Sequence, residues 1–480
     1  MARARGGLSF FGDLAALSGG HLVSKVGGFL VFAMLARTLS RDGYGAVEYL
    51  VGLSTLFATA VDYGLGRVGV RRVAHHPASL ARLAAQIPVM RLGVALIAAP
   101  VMALVAAPAM RGLGAHGLAW LFALSLLAAP WQQDWLLQAT GRMNQASFAQ
   151  ALRTLVFALV VLSLVRGPAD LHIVGWAEIA AATAMALYCV VVQQTSITRW
   201  QWRTPMEGFA GLAGEGALVG LGTFVAVANL YAPLFIVASL VGGEETAWFG
   251  AGSRVISSLL TFSNLYYFGL YPAIAGATIR SRDELADLLA ASFRVMAWGG
   301  TLVALALTLL AQPVCVLVFG NNFSRAAPLL EIMVWTLPVV LLSGHARWSL
   351  VAAGEQARLV YANLAGAVAV SALGIPLALL LGGRGAAIAA VAGAVAVWLA
   401  AHALATARGS RLPSGAMAAV PVALALAIVG VTHLAGLGRW WAGSGAIFFA
   451  AAAPLLDRKL VPDLARLGAV RPDAAGEHVA

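Results

Sequence analysis

Fourteen mostly apolar stretches, each about the length of a bilayer crossing, run through this chain between residues 14 and 457 and are separated by short polar or glycine-containing turns. A helix rises about 1.5 Å per residue, so about twenty apolar residues cross the hydrocarbon, where the backbone must satisfy its own hydrogen bonds. The expected fold is therefore all-α, a polytopic membrane protein with about 14 transmembrane helices. They fall near 14–36, 44–66, 87–109, 117–139, 147–165, 172–195, 214–238, 247–272, 289–311, 329–352, 359–381, 386–406, 417–436 and 443–457. The last is short and interrupted by Pro454, which leaves a position on the membrane surface open. Charged residues make up 11% of the chain, against about a quarter in soluble domains, which excludes an ordinary soluble fold.

The net charge of +11 does not point to nucleic acid, because the basic residues sit in short loops between apolar runs and form no continuous patch. They read as topology signals. With the N-terminus inside, 18 basic residues fall on the cytoplasmic side, 7 fall opposite, and six lie within helices or at their ends, which places both termini in the cytoplasm. Arg3 and Arg5 precede a first apolar run too long for a signal-peptide core, so that run is expected to stay in the mature protein. No loop is long enough for a soluble catalytic domain, and the sequence has no Walker A loop, no Ser/His/Asp arrangement and no metal-ligand spacing. The reading is a non-enzyme with no catalytic residues, no metal and no cofactor. Cys189 and Cys315 lie in or beside apolar runs and read as small apolar fillers.

Ionisable groups inside the apolar runs carry the functional signal, since a charge at a helix centre in hydrocarbon costs about 2.5 kcal/mol or more. Ser18, His21, Lys25 and Gly28 share one side of the first helix, and Glu48, Gly52, Thr55, Thr59 and Asp62 share one side of the second. Two such stripes describe the wall of a buried aqueous cavity. The alternative is helix-to-helix adhesion, for which Ser, Thr and Gly are common. Lys25 is informative because only two of the 31 basic residues are lysines, the other being Lys459.

Two similarities point to duplication. Tyr44-Gly45-Ala46 recurs as Phe249-Gly250-Ala251, and Asp134-Trp135-(x)5-Gly141 recurs as Arg347-Trp348-(x)5-Gly354, each pairing helix n with helix n+6. An even shift keeps orientation, so the halves would be parallel repeats about a pseudo-two-fold axis along the membrane normal. The eighth helix then matches the second, and it carries a third polar stripe, Arg254, Ser257, Thr261 and Asn264. The seventh, with Thr223 and Asn229, matches the first. Lys25 and Arg254 would face one cavity from opposite halves and hold an anionic head group such as a diphosphate. The alternative for Arg254 is an arginine snorkelling to the interface. Asp134 and Arg347 occupy matching positions with opposite charge and suggest a gating ion pair, or else a permanent structural one. His21 and His345 are candidates for proton coupling. Glu48, on the stripe with Asp62, is the coupling candidate among the carboxylates Glu48, Glu178 and Glu331, all expected near outer helix ends.

The chain resembles the bacterial polysaccharide flippases, the lipid-linked oligosaccharide exporters of the multidrug/oligosaccharidyl-lipid/polysaccharide exporter superfamily. The residues that carry the resemblance are Ala36-Arg37-Thr38-Leu39 with Gly43-Tyr44-Gly45, Asp62-Tyr63-Gly64-Leu65, Arg71-Arg72, and Gln138-Ala139-Thr140-Gly141-Arg142-Met143. The resemblance implies two six-helix bundles forming a V around a central cavity, with two extra C-terminal helices. On this chain that division is 1–195 and 196–407 for the bundles, 408–457 for the extra pair and 458–480 for a cytoplasmic tail. It implies a flippase of the bacterial cytoplasmic membrane that moves an undecaprenyl-diphosphate-linked oligosaccharide by alternating access. Lys25 and Arg254 match the family's cationic lining, with His21, Asn229 and Asn264 beside them as substrate-binding candidates, and Asp62, Glu48, Asp134 and Arg347 as gating or coupling candidates. The expected partners are a polyprenyl-diphosphate-linked sugar, the lipid bilayer, and glycosyltransferases and a polymerase of the same pathway, with no nucleic acid. A cation-coupled multidrug antiporter of the same superfamily is the alternative and should have an acidic cavity. A polytopic polysaccharide polymerase or ligase is a third reading, and it needs a large external loop.

Overall fold

The computed structural model describes residues 25–110, 115–200, 208–435 and 439–468. Every regular element among them is helical. By contacts the chain divides into two compact units, Met1–Ala247 and Trp248–Ala480. In the first, α1 covers residues 25–38 and is followed by α2 (Arg41–Asp62), α3 (Leu65–His75), α4 (Leu80–Met110), α5 (His116–Ser125), α6 (Asp134–Ala139), α7 (Met143–Leu164), α8 (Leu171–Ser196) and α9 (Phe209–Leu240). Helix α10 (Gly243–Arg280) begins in the first unit and continues into the second. The second unit continues with α11 (Arg282–Leu309), α12 (Ala311–Phe319), α13 (Ala327–Met333), α14 (Thr336–Ala352), α15 (Arg358–Leu381) and α16 (Gly383–Thr406). It closes with α17 (Ala419–Leu434), α18 (Arg439–Leu456) and α19 (Leu460–Gly468).

Ten helices among the described residues are long and apolar enough to cross a membrane. Each of the other four expected spans also meets helix, with a physical reason for falling outside that set. The first is described only from residue 25. The fourth is broken: α5 passes into a 3-10 turn, Leu126–Trp131, which holds Pro130, before α6 begins. Proline supplies no N–H and crowds the preceding turn, so the regular ladder stops there. Helix α10 is 38 residues long but mixes Glu244, Glu245 and Arg254 with a row of hydroxyl and amide side chains. Its counterpart at the other extreme, α18, has 18 residues and an internal Pro454.

The second span differs from the expected 44–66. It ends at Asp62 and restarts as α3 after Tyr63 and Gly64, both left-handed at φ 53° and 73°. The segment after this break carries the core of the first unit's polar end, where Leu65, Val68 and Val73 of α3 pack with Leu83 and Ile87 of α4, Trp135 and Leu136 of α6, and Leu212 of α9. Arg67 and Arg71 point away from this core, while Arg72 lies along its margin, so a stretch that reads as a basic loop is an amphipathic helix.

The second sequence repeat has a backbone counterpart. After α6 the N–H of Arg142 donates to Leu137 O (2.8 Å) and that of Gly141 to Gln138 O (3.0 Å); after α14 the N–H of Glu355 donates to Leu350 O (2.9 Å) and that of Gly354 to Val351 O (3.1 Å). Both glycines are left-handed, at φ 71° and 75°. Each is the glycine of a Schellman cap, which returns two orphan carbonyls of the helix end to hydrogen bonds. The repeated glycine is therefore a repeated helix stop.

Outside the packed core, large apolar side chains such as Leu96, Ile97, Leu104, Leu159, Leu317 and Leu380 are exposed. In water such surface would drive association; against acyl chains it is the expected solvent-facing layer.

Candidate functional site

In the first unit the site is built where α2 breaks and α9 crosses it. A side chain on Gly64 would come within 2.5 Å of Gly220 N and 2.7 Å of Gly216 O, so the α2–α3 corner and α9 meet backbone to backbone. Small residues permit that approach. The contact is extended by side chains. Arg67 Nη1 donates to Thr223 Oγ1 (2.9 Å), and Arg71 and Arg72 converge on Glu215, at 2.8 and 2.6 Å. Further along the same helices, Gly52 lies under Tyr231 and Phe235 of α9. Arg41 at the start of α2 pairs with Glu244 at the start of α10 (2.6 Å).

The stripe on α2 thus splits in two. Glu48, expected near an outer helix end, is buried among protein (5% exposed) and accepts a 2.6 Å hydrogen bond from Tyr44 Oη. Thr55 and Thr59 turn their hydroxyls to their own helix, donating to Val51 O and Thr55 O. Asp62, at the break, is half-exposed and pairs with Arg91 of α4, a residue that sequence reasoning left among the in-helix arginines. Arg91 is only 4% exposed; it also reaches Gln132 O (3.5 Å), and Asp134 lies within its electrostatic reach. Arg91 thus pairs directly with Asp62, and Asp134 sits within electrostatic reach of both. A guanidinium does not give up its proton, so its burial demands this anionic company.

Of the substrate-binding candidates, His21 lies outside the described residues. Lys25 opens the described part of α1 and is exposed, and a side chain added at Gly28, one turn on, would meet nothing within 4 Å. That face of α1 borders open space. Asn229 on α9 is half-buried, and its Oδ1 is buried without a hydrogen-bond partner. Arg254 is half-buried on α10, where its carbonyl accepts from Ser257 and Ser258; Asn264, further along the same stripe, is exposed. Lys25 and Arg254 belong to different compact units.

In the second unit Arg347 is half-buried on α14 within electrostatic reach of Tyr267. His345 is fully packed. Its Nδ1 meets Tyr267 Oη at 2.8 Å and its Nε2 meets Ser292 Oγ at 2.8 Å, while Ser292 also bonds Tyr266 Oη at 2.6 Å. Both ring nitrogens are thus engaged in a satisfied core network. Arg294 of α11 spans Asp457 (3.0 Å) and Asp463 (2.8 Å), and Trp298 adds a bond to Asp457 (3.2 Å). These ties fasten α19 to α11. Cys189 and Cys315 are buried free thiols, and among the described residues no cluster of His, Cys, Asp or Glu could hold a metal ion.

A family model described as "Polysaccharide biosynthesis protein" matches residues 12–277. Among curated proteins none matches. Among solved structures the chain is similar to the lipid II flippase MurJ in an inward closed conformation, at TM-score 0.71 and 12% identity, covering 94% of this chain and 99% of that one. It is also similar to an inward-facing multidrug resistance MATE family transporter of the MOP superfamily, at TM-score 0.60 and 16% identity, covering 81% and 94%. A MOP superfamily transporter from Pyrococcus furiosus matches at TM-score 0.54 and 14% identity over 82% and 95%. At these identities the likeness is one of fold.

Proposed function

Because the chain belongs to the polysaccharide biosynthesis protein family, we propose that it is a flippase, carrying an undecaprenyl-diphosphate-linked oligosaccharide from the cytoplasmic to the outer leaflet of a bacterial cytoplasmic membrane. The observation that carries this reading is the fold shared with a lipid II flippase over 94% of the chain. Such a substrate joins an apolar tail, which stays in lipid, to a diphosphate and sugar that must pass a layer where each unpaired charge costs several kcal/mol. The route must offer cations and hydrogen-bonding groups in place of water.

In this reading Lys25 and Arg254 bind the diphosphate. His21, Asn229 and Asn264 serve the sugar. Glu48, Asp62, Asp134 and Arg347 take gating or coupling roles, and the bundles 1–195 and 196–407 alternate between access states, with 408–457 as added helices and 458–480 as a cytoplasmic tail. No bond is made or broken in the substrate, so the protein acts as a carrier between the glycosyltransferases that build the unit and the polymerase that uses it. The gate predicts that reversing Asp134 or Arg347 alone abolishes transport and that reversing both restores it; a double variant no better than the worse single one removes the pairing.

A direct test offers purified protein in vesicles two substrate classes, a lipid-diphosphate oligosaccharide and an organic cation of the kind multidrug exporters move. The flippase reading expects protein-dependent movement of the first. Movement of the second alone would assign the chain to the multidrug reading.

A further inference from the structure

An exposed charged cluster tied into the first unit's packing is the meeting of Arg71, Arg72 and Glu215. Two arginines of α3, with side chains 55% and 27% exposed, converge on a single carboxylate of α9 that is itself 40% exposed. Arg72 bonds both carboxylate oxygens, Nη2 to Oε1 at 2.6 Å and Nε to Oε2 at 3.4 Å, while Arg71 Nη2 takes Oε2 at 2.8 Å. This is the fork geometry that guanidinium groups present to carboxylates and phosphates alike. One negative charge serves two positive ones, so the cluster keeps a surplus of positive charge, and Arg67 beside it is bonded only to the neutral hydroxyl of Thr223 among the described residues. The arginines cannot drift from this place. Leu65, Val68 and Val73 seat α3 in the core, and the Gly64 corner fixes where the helix begins. Exposed ion pairs of this kind contribute little to stability, so an anion with more charge and more acceptor oxygens displaces the carboxylate readily.

We propose that Arg71 and Arg72 form a receiving site for the diphosphate of the lipid-linked substrate, that Glu215 occupies this site in its absence, and that the incoming diphosphate displaces Glu215. This rests on the flippase reading above and adds to it a first contact, distinct from Lys25 and Arg254, that exchanges an internal carboxylate for the incoming diphosphate.

Diphosphate chemistry has two sources to separate here, a polyprenyl diphosphate and the phosphate of an ordinary anionic phospholipid. The probes are farnesyl diphosphate and phosphatidylglycerol, each titrated against the full-length protein in nanodiscs of neutral phosphatidylcholine. Farnesyl diphosphate is expected to bind the native protein, to bind Glu215→Gln about fivefold or more tightly because its competitor is gone, and to bind an Arg71→Gln/Arg72→Gln double variant about tenfold or more weakly. An Arg71→Lys/Arg72→Lys variant should recover part of the loss, which a folding defect would not allow. Unchanged or weaker binding in Glu215→Gln, or native binding in the double glutamine variant, overturns the site. Phosphatidylglycerol binding as tightly as farnesyl diphosphate overturns its assignment to diphosphate. Translocation by the native chain together with unaltered Glu215→Gln binding removes this site and leaves the flippase reading; no translocation by the native chain removes that reading and the site's role with it.

Discussion

At the scale of single residues, the account turns on positions where charge or backbone has little freedom. Arg91 is buried and permanently charged, and its partner Asp62 is half-exposed at the α2 break. Removing the carboxylate takes away the only directly bonded anion of a buried cation among the described residues and leaves it Asp134 at a distance, whereas removing the cation leaves Asp62 able to turn to solvent. Asp62→Asn should therefore destabilise the protein by about 2–3 kcal/mol and Arg91→Met by less, with the double variant recovering part of the loss, as read by thermal unfolding in detergent. Equal losses in both single variants would contradict the asymmetry. Gly64 and Gly141 make a second contrast. Both are left-handed, but a side chain at Gly64 meets the α9 backbone, and at Gly141 it meets nothing within 4 Å. Gly141→Ala should cost only the conformational term of about 1 kcal/mol, while Gly64→Ala adds backbone overlap that forces α3 and α9 apart and should lower the melting temperature much further. Lys25 is conspicuous in the sequence as a lone lysine in an apolar run. Arg91 was visible as an in-helix charge, but its partner was not, since Asp62 lies 29 residues away on another helix and no local spacing links them.

At the scale of elements, helix existence was written in the apolar runs and helix interruption only partly. The break between α5 and α6 at Pro130 falls inside a run that reads as one span, and the corner at Tyr63 and Gly64 depends on Gly216 and Gly220 of α9, a contact no local pattern encodes. For the same reason the stripe on α2 reads as one surface yet divides into a half packed under α9 and a half left open. The basic segment after it was legible as charge, and its apolar face, Leu65, Val68 and Val73, was the overlooked sign of an amphipathic helix. Helix α19 is held by Arg294 through Asp457 and Asp463. Partial burial works against the Asp457 charge, but hydrogen bonds from Arg294 and Trp298 outweigh it and hold this carboxyl below its usual range. A carboxylate with a lowered folded value contributes stability above the ordinary unfolded value of about 3.9, and that contribution is lost as pH falls through the folded value. Hydrogen exchange in α19 should accordingly stay slow from neutral pH down to about 4 and rise below that, and Arg294→Gln should give the fast pattern at neutral pH. Slow exchange in Arg294→Gln would show that apolar packing alone holds α19.

At the scale of the whole molecule, a polytopic helical protein was legible from hydropathy and charge alone, and the family from short motifs in order. One sequence echo has a backbone cause: the repeated Gly after α6 and after α14 sits in the same kind of helix cap. What the apolar runs do not specify is which polar side chain meets which, because many helix pairings bury similar surface. The central claim, that positive side chains from both halves carry a diphosphate-linked sugar across the bilayer, is tested most directly by translocation in vesicles. A lipid-diphosphate oligosaccharide is placed in one leaflet, and its appearance in the other is followed for the native chain, Lys25→Ala and Arg254→Ala, each confirmed to be folded and inserted. The account predicts transport by the native chain and a loss of about tenfold or more in each variant, in line with losing one charge-assisted contact. Transport at the native rate in both variants would contradict it.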